Sequence, residues 1–381
     1  MLKLTTAGES HGPALVAILE GLPQGLEVAR EAIDRALERR QRGVGRSGRM
    51  KIEEDRVEVL AGLRGGRTIG SPLALLVRNR DFWRDSMDPF APPTEAVAIT
   101  RPRPGHVDFA GAIKFGLRDA REIAERASAR GTAVQVAAGA VVQLMLARCG
   151  IELLGHVVQI GNVRAPPLHG DGAEIRARVL ASEVGCADRA TSAEMVPAIE
   201  TAQAQGDSLG GVVEVVAWGM VPGLGSHATP TGRLDARLAE ALMAIPAVKG
   251  IEVGLGFAAT AARGSEVHDA LVRQGDRFAR PTNRAGGIEG GLSNGEPLVV
   301  RAAMKPLPTL GRPLPSVDLV SGEAVLAHKE RTDCCAVPAA AVVAEAAVAL
   351  VLADALLERT GGATMAELEA RVLPLRESLA F

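Results

Sequence analysis

The sequence has few cysteines, and none stands at a spacing typical of metal sites. Four cysteines, Cys149, Cys186, Cys334 and Cys335, are too few for a disulfide framework in a chain of 381 residues. No ligand spacing joins them to the seven scattered histidines, so we predict no metal site. The adjacent Cys334 and Cys335 are predicted to be small buried fillers.

Lysine is also scarce, and the six lysines lie at scattered positions. Arginine supplies the rest of the 43 basic residues, and 45 acidic residues leave a formal net charge of −2. Such a balance gives no reason to expect a nucleic acid or an anionic membrane as partner. An arginine bias alone indicates no function, but clustered guanidinium groups bind carboxylate and phosphate through paired hydrogen bonds.

Long uncharged apolar runs of the kind that span membranes are missing as well. The two most apolar stretches are Ala133–Leu146, which is short, and Ala339–Leu357, which contains Glu345 and Asp354. We predict that both are buried core helices. Met1 leads directly into a short strand and a glycine motif, so we expect no signal peptide and a cytoplasmic protein.

The chain is 47% hydrophobic, which is enough for a sizeable core. No linker with a composition shift and no repeat divides it, so we predict one domain over residues 1–381. Two predicted helices, Thr132–Cys149 and Val337–Glu358, are strongly apolar and should be central. Other predictions are a strand at Ile251–Phe257 and irregular stretches, rich in Gly or Pro, at Arg78–Gly111 and Arg280–Ser316.

A small polar motif with flanking arginines comes before each central helix, at Arg126–Arg130 and at Arg331–Asp333. A helix start offers unpaired backbone N–H groups and the positive end of the dipole, which suits an anionic ligand. Ordinary capping by Ser, Thr or Asp would explain either motif alone. The arginines within the two motifs favour anion binding at both helix starts.

Two short glycine motifs match signatures of other enzymes but lie in the wrong context. Gly8–Gly12 fits the G-x-S-x-G elbow of serine hydrolases, which needs a central strand before it and a helix after it. Gly43–Gly48 fits the dinucleotide-binding G-x-G-x-x-G, but it follows a predicted helix and precedes a strand. We set the dinucleotide-binding interpretation aside and keep the serine hydrolase only as a weak alternative.

A series of further motifs runs through the chain in a fixed order. They are Gly8–Pro13 with Leu19–Pro23, Arg39–Gly43 with Arg46–Met50, Arg101–Asp108, Arg126–Ala133, Val248–Glu252, Gly286–Ile288 with Gly290–Gly291, Lys305–Thr309, and Arg331–Cys335 with Val337–Pro338. Together these segments resemble the chorismate synthase family over nearly the whole chain. Two departures concern local geometry: many members have Glu at the position of Gly131, and His-Asp-Pro at Thr332–Cys334.

The resemblance implies an α+β fold with a helical core between two antiparallel sheets, assembled as a homotetramer. It also implies a lyase that eliminates phosphate from 5-enolpyruvylshikimate 3-phosphate (EPSP), by an anti-1,4-elimination that gives chorismate. This is the last step of the shikimate pathway to the aromatic amino acids. The family uses reduced FMN without net redox change, while the protein supplies binding, orientation and protons. NADPH could supply the reducing equivalents, although no added reductase-like segment is visible.

The resemblance assigns roles to individual residues. His11 matches the general acid for the departing phosphate, His106 the residue that protonates reduced flavin near N1, and Asp333 the carboxylate near flavin N5. Ser10 and Ser128 would be relay hydroxyls. Substrate binding would fall to Arg40, Arg46, Arg49, Arg103, Arg130 and Arg331, although spacing alone places Arg40 on a solvated helix face. Flavin binding would fall to Arg126, Ala127, Ser128, Ala247, Gly291, Lys305, Pro306, Leu307, Pro308, Thr309 and Arg331.

Three alternatives remain open at this stage. A non-catalytic homologue that binds FMN or another anion would lack His11, His106 or Asp333, and all three are present. A flavoprotein oxidoreductase would consume reducing equivalents, whereas the lyase needs only catalytic amounts of reduced FMN. A serine hydrolase would be blocked by serine-directed inhibitors.

Overall fold

The computed structural model describes residues 2–92 and 95–377, and for Met50 and Lys51 it describes the backbone alone. Pro93, part of the stretch expected to be irregular, lies outside these ranges. The helices are α1 (Arg30–Gln41), α2 (Asp108–Phe115), α3 (Arg121–Ala127), α4 (Thr132–Arg148), α5 (Gly172–Ala181), α6 (Arg189–Ala204), α7 (Leu234–Met243), α8 (Gly264–Val267), α9 (Val337–Thr360) and α10 (Met365–Glu377).

The strands form two larger sheets and several short hairpins. They are β1 (Lys3–Ala7), β2 (Ala14–Glu20), β3 (Val57–Ala61), β4 (Leu63–Arg64), β5 (Arg67–Thr68), β6 (Leu73–Arg78), β7 (Glu152–Ile160), β8 (Val163–Arg164), β9 (Gly211–Trp218), β10 (Val248–Val253), β11 (Val272–Gln274), β12 (Arg277–Ala279), β13 (Ile288–Glu289), β14 (Leu292–Ser293), β15 (Leu298–Met304), β16 (Pro315–Val317) and β17 (Ala324–Leu326). One larger sheet has the order β1-β2-β6-β3 and the other β10-β15-β9-β7-β8. All of their strand pairs are antiparallel.

The central helices α4 and α9 lie between the two sheets. Helix α4 packs on β1, β2 and β6 of the first sheet, and α9 packs on β7, β9 and β15 of the second. The two helices also pack against each other, and α1 contacts both. This arrangement confirms the predicted α+β fold with a helical core between antiparallel sheets.

The close approach of α4 and α9 depends on small side chains. A Cβ atom added to Gly139 of α4 would stand 2.4 Å from the Cβ of Ala346 on α9. A Cβ on Gly155 of β7 would lie 2.2 Å from the carbonyl oxygen of Ala341. Because protein cores are packed as densely as crystals, glycine at these positions sets the spacing between the layers.

Two helical segments are long and apolar enough to cross a membrane, Arg121–Arg148 and Val337–Thr360, and most of each is buried inside the protein. The prediction that both apolar stretches are core helices is therefore confirmed. The cysteines at 334 and 335 are also buried, as predicted, and burial raises the pKa of Cys335 to about 11.

Three predicted boundaries are wrong. The stretch 280–316 contains β15, whose burial alternates along the strand, because the Gly and Pro residues lie in its flanks. The strand expected at Ile251–Phe257 runs instead from Val248 to Val253. The strand stops before Gly254, because the φ of +59° at this glycine is incompatible with extended backbone. The stretch 78–111 also contains the start of α2.

Substitution of Gly139 by Ala should push α4 and α9 apart, because the new methyl group has no room beside Ala346. We expect a loss of about 1–3 kcal/mol in the free energy of unfolding, the usual cost of overpacking a core. Urea denaturation measures this loss. The matched control is Gly264→Ala, since a Cβ atom there meets nothing nearer than 3.7 Å. Equal stability of the two variants would contradict the tight helix contact.

Candidate active site

A cavity of about 980 Å³ lies beside the first turns of α4 and α9. It brings together residues from seven of the eight motifs noted in the sequence. The predicted residues that line it are Ser10, His11, Arg40, Arg46, Arg49, Arg103, His106, Ala127, Ser128, Arg130, Ala247, Lys305, Leu307, Pro308, Thr309, Arg331 and Asp333.

Three predicted flavin-binding residues are not part of the lining of this cavity: Arg126, Gly291 and Pro306. The guanidinium of Arg126 donates to the carbonyl oxygen of Thr6, at 3.2 Å. Gly291 has a φ of +88°, and its carbonyl oxygen accepts the N–H of Leu234 at the start of α7. In the described chain Arg126 and Gly291 make structural contacts, and their proposed flavin contacts stay a prediction.

His11 sits in the turn between β1 and β2, and its ring is held on several sides. Its Nδ1 lies 2.8 Å from Oε1 of Glu125 on α3, and its backbone N–H donates to Oε2 of the same carboxylate at 2.7 Å. The ring stacks on Trp83, with centroids 3.7 Å apart. Burial alone would raise the pKa of Glu125, but the hydrogen bonds from His11 and the charge of Arg121 outweigh it and lower that pKa. An ionised Glu125 fixes the imidazole with Nδ1–H toward the carboxylate.

Arg49 and Asp81 border the other side of His11. The Nη1 atom of Arg49 donates to the hydroxyl of Ser10 at 2.7 Å and lies 3.2 Å from Nε2 of His11. Arg331 donates to Oδ2 of Asp81 at 2.6 Å. That same oxygen is 3.9 Å from Nε2 of His11. Nε2 of His11 therefore faces a cluster of charges at the cavity wall.

His106 has an equivalent arrangement. Its Nδ1 lies 2.6 Å from Oδ1 of Asp108, the first residue of α2, where the helix dipole favours a carboxylate. Arg103 binds both oxygens of Asp108, from Nε at 2.7 Å and from Nη2 at 2.9 Å. Burial would raise the pKa of Asp108, but the hydrogen bonds from His106 and Arg103 hold it well below its usual range. Asp108 is completely buried.

Arg40 and Arg130 form the floor of the cavity with buried carboxylates beneath them. Asp55 accepts from Arg130 at 2.6 Å and from Arg40 at 3.4 Å. Arg130 also contacts Glu53, and both carboxylates are buried. Burial lowers the pKa of Arg40 to about 10, although the charge of Asp55 acts in the opposite direction. Arg40 is buried, so the solvated helix face expected from spacing alone is wrong.

Asp333 connects the arginine-rich segment to the start of α9. Its carboxylate lies 2.8 Å from Nη1 of Arg46 and accepts the backbone N–H of Ser47 at 2.7 Å. The following residue, Cys334, donates its N–H to the carbonyl oxygen of Gly45. Gly45 has a φ of +81°, and a Cβ atom there would stand 2.6 Å from Ile199. A glycine is required for the two segments to meet at the cavity.

Neither central helix has a side-chain cap at its start. The N-cap residues of α4 and α9 are Gly131 and Ala336, and neither makes a side-chain hydrogen bond to the helix. The hydroxyl of Ser128 instead accepts the N–H of Arg130, in the short 3-10 helix before α4. Ordinary capping therefore accounts for Ser128 in the motif before α4, but it does not explain the motif before α9.

The wall that faces His106 contains an unusual backbone conformation. Among residues 2–92 and 95–377, Ala247 is the one non-glycine residue with a positive φ, +69°. Its carbonyl oxygen accepts the N–H of Lys305 at 2.9 Å, and Nζ of Lys305 donates to the carbonyl oxygen of Gly105. Such backbone strain is concentrated at functional sites, because the surrounding structure must hold it.

Several residues in or directly behind the cavity wall were missed in the sequence. Asp108 stands two residues after His106, and Arg121 and Glu125 are four apart on α3, so spacing offered a signal for both. No pattern in the sequence points to Glu330, which pairs with arginines from two other segments. These residues are buried or half-buried ion-pair partners, and contacts between distant segments contribute to deciding which carboxylates serve that role.

Fixed cations around a cavity, with two histidines that are each oriented by a buried carboxylate, define an enzyme that acts on a small anionic molecule.

A family model described as chorismate synthase matches residues 2–357. The chain is 54% identical to a chorismate synthase of Moorella thermoacetica, over 100% of this chain and 99% of that protein. It is 53% identical to a chorismate synthase of Trichlorobacter lovleyi, over 96% of each chain.

A crystal structure of chorismate synthase has the same fold, with a TM-score of 0.80 and 39% identity over 100% of this chain and 98% of that one. The chain belongs to the chorismate synthase family, whose members are carbon–oxygen lyases.

Removal of Asp55 should leave two buried guanidinium groups, those of Arg40 and Arg130, without their shared carboxylate. We expect Asp55→Ala to lower the free energy of unfolding by about 3–5 kcal/mol, as for other broken buried ion pairs. The control is Glu54→Ala, whose side chain is exposed and pairs at the surface, for which we expect about 0–1 kcal/mol. Both values come from urea denaturation. Similar losses in the two variants would show that the buried carboxylate has no special role.

Proposed function

We propose that this protein eliminates phosphate from EPSP to form chorismate, with anti stereochemistry and without net redox change. The observation that carries the proposal is the pair of histidines, His11 and His106, that line one arginine-rich cavity and are each fixed by a buried carboxylate. The chorismate synthases among the relatives support it.

The charge of the cavity suits this substrate. EPSP carries two carboxylates and a phosphate, so its pocket needs fixed positive groups. Arg40, Arg103 and Arg130 are almost fully buried and bound by protein carboxylates, so they present a preorganised floor. Arg331 is half exposed at its side chain and shares Asp81 with Arg49. Because Arg49 and Arg331 are nearer to solvent, we assign them, with Arg46, the direct contacts to substrate anions.

His11 is the proposed general acid for the departing phosphate. With Nδ1–H bound to Glu125, Nε2 is the atom from which His11 would give up its proton; in this structure it accepts from Arg49, which we expect to turn to the substrate anion when His11 is protonated. Imidazole suits this task because it titrates near neutral pH. The hydroxyl of Ser10, bound to Arg49, is the proposed relay at this end of the cavity, and Ser128 lines it nearby.

His106 is the proposed second proton donor, at the wall beside Ala247 and Lys305. Asp108 holds its Nδ1, so the exchangeable proton is again at Nε2. Asp333 is fixed by Arg46 and Ser47 and is the proposed carboxylate near flavin N5. The protein groups thus hold exchangeable protons at the two Nε2 atoms, offer a carboxylate at Asp333, and bind the substrate anions between them.

The residues present fit a flavin. Small apolar side chains line the cavity, among them Ala127, Ala247 and Ala340, while Lys305 and Arg331 offer cations for a phosphate group. The volume of about 980 Å³ is at the top of the range of about 300–1,000 Å³ for ligand pockets, which suits a cofactor together with a substrate. When bound, reduced FMN lends electron density during the elimination and regains it.

Further features follow from family membership and are proposals for this chain. We propose that one domain spans residues 1–381, that the enzyme works as a cytoplasmic homotetramer, and that it needs no metal, nucleic acid or membrane. An outside reductant, for which NADPH is a candidate, would keep FMN reduced. The exposed apolar side chains of α2, Phe109, Ile113 and Phe115, support assembly with further copies of the chain.

An anaerobic assay tests the proposed reaction. Purified protein is mixed with EPSP and FMN, with and without dithionite, and chorismate and phosphate are measured. We expect equal yields of both products when FMN is reduced, and no consumption of the reduced cofactor. Stoichiometric consumption of reductant would favour an oxidoreductase, and bound ligands without any product would favour a non-catalytic binding protein.

Substitution of either histidine should remove one proton-transfer group. We expect His11→Ala and His106→Ala each to lower turnover by about two to four orders of magnitude, the usual effect of such a group. Steady-state chorismate formation measures it. His169→Ala is the control, because this exposed histidine is not part of the cavity lining. Turnover near that of the unsubstituted protein in either test variant would remove that histidine from the mechanism.

A further inference from the structure

The two histidines are joined by a continuous series of buried and half-buried contacts. From His11, the series runs through Glu125, whose Oε1 atom lies 2.8 Å from the ring. Nη1 of Arg121 donates to this same Oε1 at 3.3 Å and to Oε1 of Glu330 at 2.6 Å. Arg121 thus connects the carboxylate that orients His11 to a second carboxylate, on the segment before α9.

The same series begins at His106 and reaches the same glutamate. His106 lies 2.6 Å from Oδ1 of Asp108, and Nη2 of Arg103 donates to that oxygen at 2.9 Å. Nη1 of Arg103 donates to Oε2 of Glu330 at 3.2 Å. Glu330 therefore stands in the middle, with one oxygen on each arginine, and the order histidine, carboxylate, arginine is repeated on both sides of it.

Most of the groups between the two histidines are shielded from water, and Glu330 is half-buried, with 23% of its side chain exposed, so solvent screens the charges of these groups less than it would at the surface. Arg103, Arg121, Glu125 and Asp108 are each at most 7% exposed. Burial would raise the pKa of Glu330, but His328, Arg121 and Arg103 together lower it to about 2. Glu330 is therefore an anion throughout the neutral range.

We propose that Glu330 is a positioning residue that couples the two histidines, because it alone pairs with both Arg121 and Arg103 among the described residues. Without Glu330, Arg121 would pair with Glu125 alone and Arg103 with Asp108 alone, so each arginine would neutralise more of the charge of its remaining carboxylate. Each of those carboxylates would then stabilise its histidinium less. This proposal rests on the proposed function for the roles of His11 and His106, but the coupling itself does not.

The sign of the effect follows from the charges that face each group. His11 faces Glu125, Arg49 and Asp81. His106 faces Asp108 and Arg103. Glu330 faces Arg103, Arg121 and His328, whose Nε2 is 3.4 Å away. Loss of the anion at 330 removes negative charge from both halves of the series, so it should lower the pKa of both histidines.

The test is Glu330→Gln in the full-length protein with ring-labelled histidine, titrated by NMR. We expect the pKa of His11 and of His106 to fall together by about 0.5 unit, less than the 1–3 units caused by a directly adjacent charge. His156, His169, His227 and His268 should not move, whereas His328 should, because it contacts Glu330. The control is Glu323→Gln, an exposed glutamate in the same region of the chain.

A shift of neither histidine, or of one alone, would overturn the coupling. If Glu330→Gln does not fold, Glu330→Asp provides the same test, because the shorter side chain keeps the charge but does not reach both arginines at once. Smaller falls in both pKa values are then expected, and unchanged values would overturn the proposal.

Activity supplies a second, separate readout. Since both histidines must be protonated to act, the high-pH limb of kcat should move to lower pH in Glu330→Gln, with little change in KM. A purely structural role would lower the amount of active protein without moving the limb. If the unsubstituted protein formed no chorismate, the proposed function would fail, while the NMR titration would still decide the coupling.

Discussion

Buried arginines can remain at the floor of this cavity because buried carboxylates face them. An isolated guanidinium or carboxylate loses several kcal/mol of hydration free energy when it leaves water, and only a close partner offsets that loss. Asp55 serves Arg40 and Arg130, and Asp108 serves Arg103. The positions of the cavity cations are therefore fixed before any ligand arrives, which is the preorganisation that electrostatic catalysis requires.

The helical core determines where these pairs meet. Helices α4 and α9 approach closely at Gly139. Both helices begin at the same side of the molecule, beside the cavity. The turn that carries His11 leaves the first sheet at this side, and the segment with Ala247 and Lys305 leaves the second. A cavity between two sheets thus receives side chains from both, and each wall is attached to a rigid element.

The sequence predicted much of this arrangement, but unevenly. Both central helices were predicted from their apolar character, and most of the site residues predicted from the motifs line the cavity. Strand β15 was missed because the glycines and prolines around it outweighed its own alternation. The half-buried carboxylate Glu330 was missed for a different reason: its arginine partners, Arg103 and Arg121, are distant in the chain, and no local pattern distinguishes such a glutamate from a solvated one.

The most direct test of this account is a crystal structure of the protein with FMN and EPSP bound. We expect the substrate anions to contact Arg46, Arg49 and Arg331 beside His11, and the flavin to lie against the wall that includes Ala247. Both ligands would then occupy the cavity at the starts of α4 and α9. Ligands bound elsewhere, with His11 in contact with neither of them, would contradict the proposed active site.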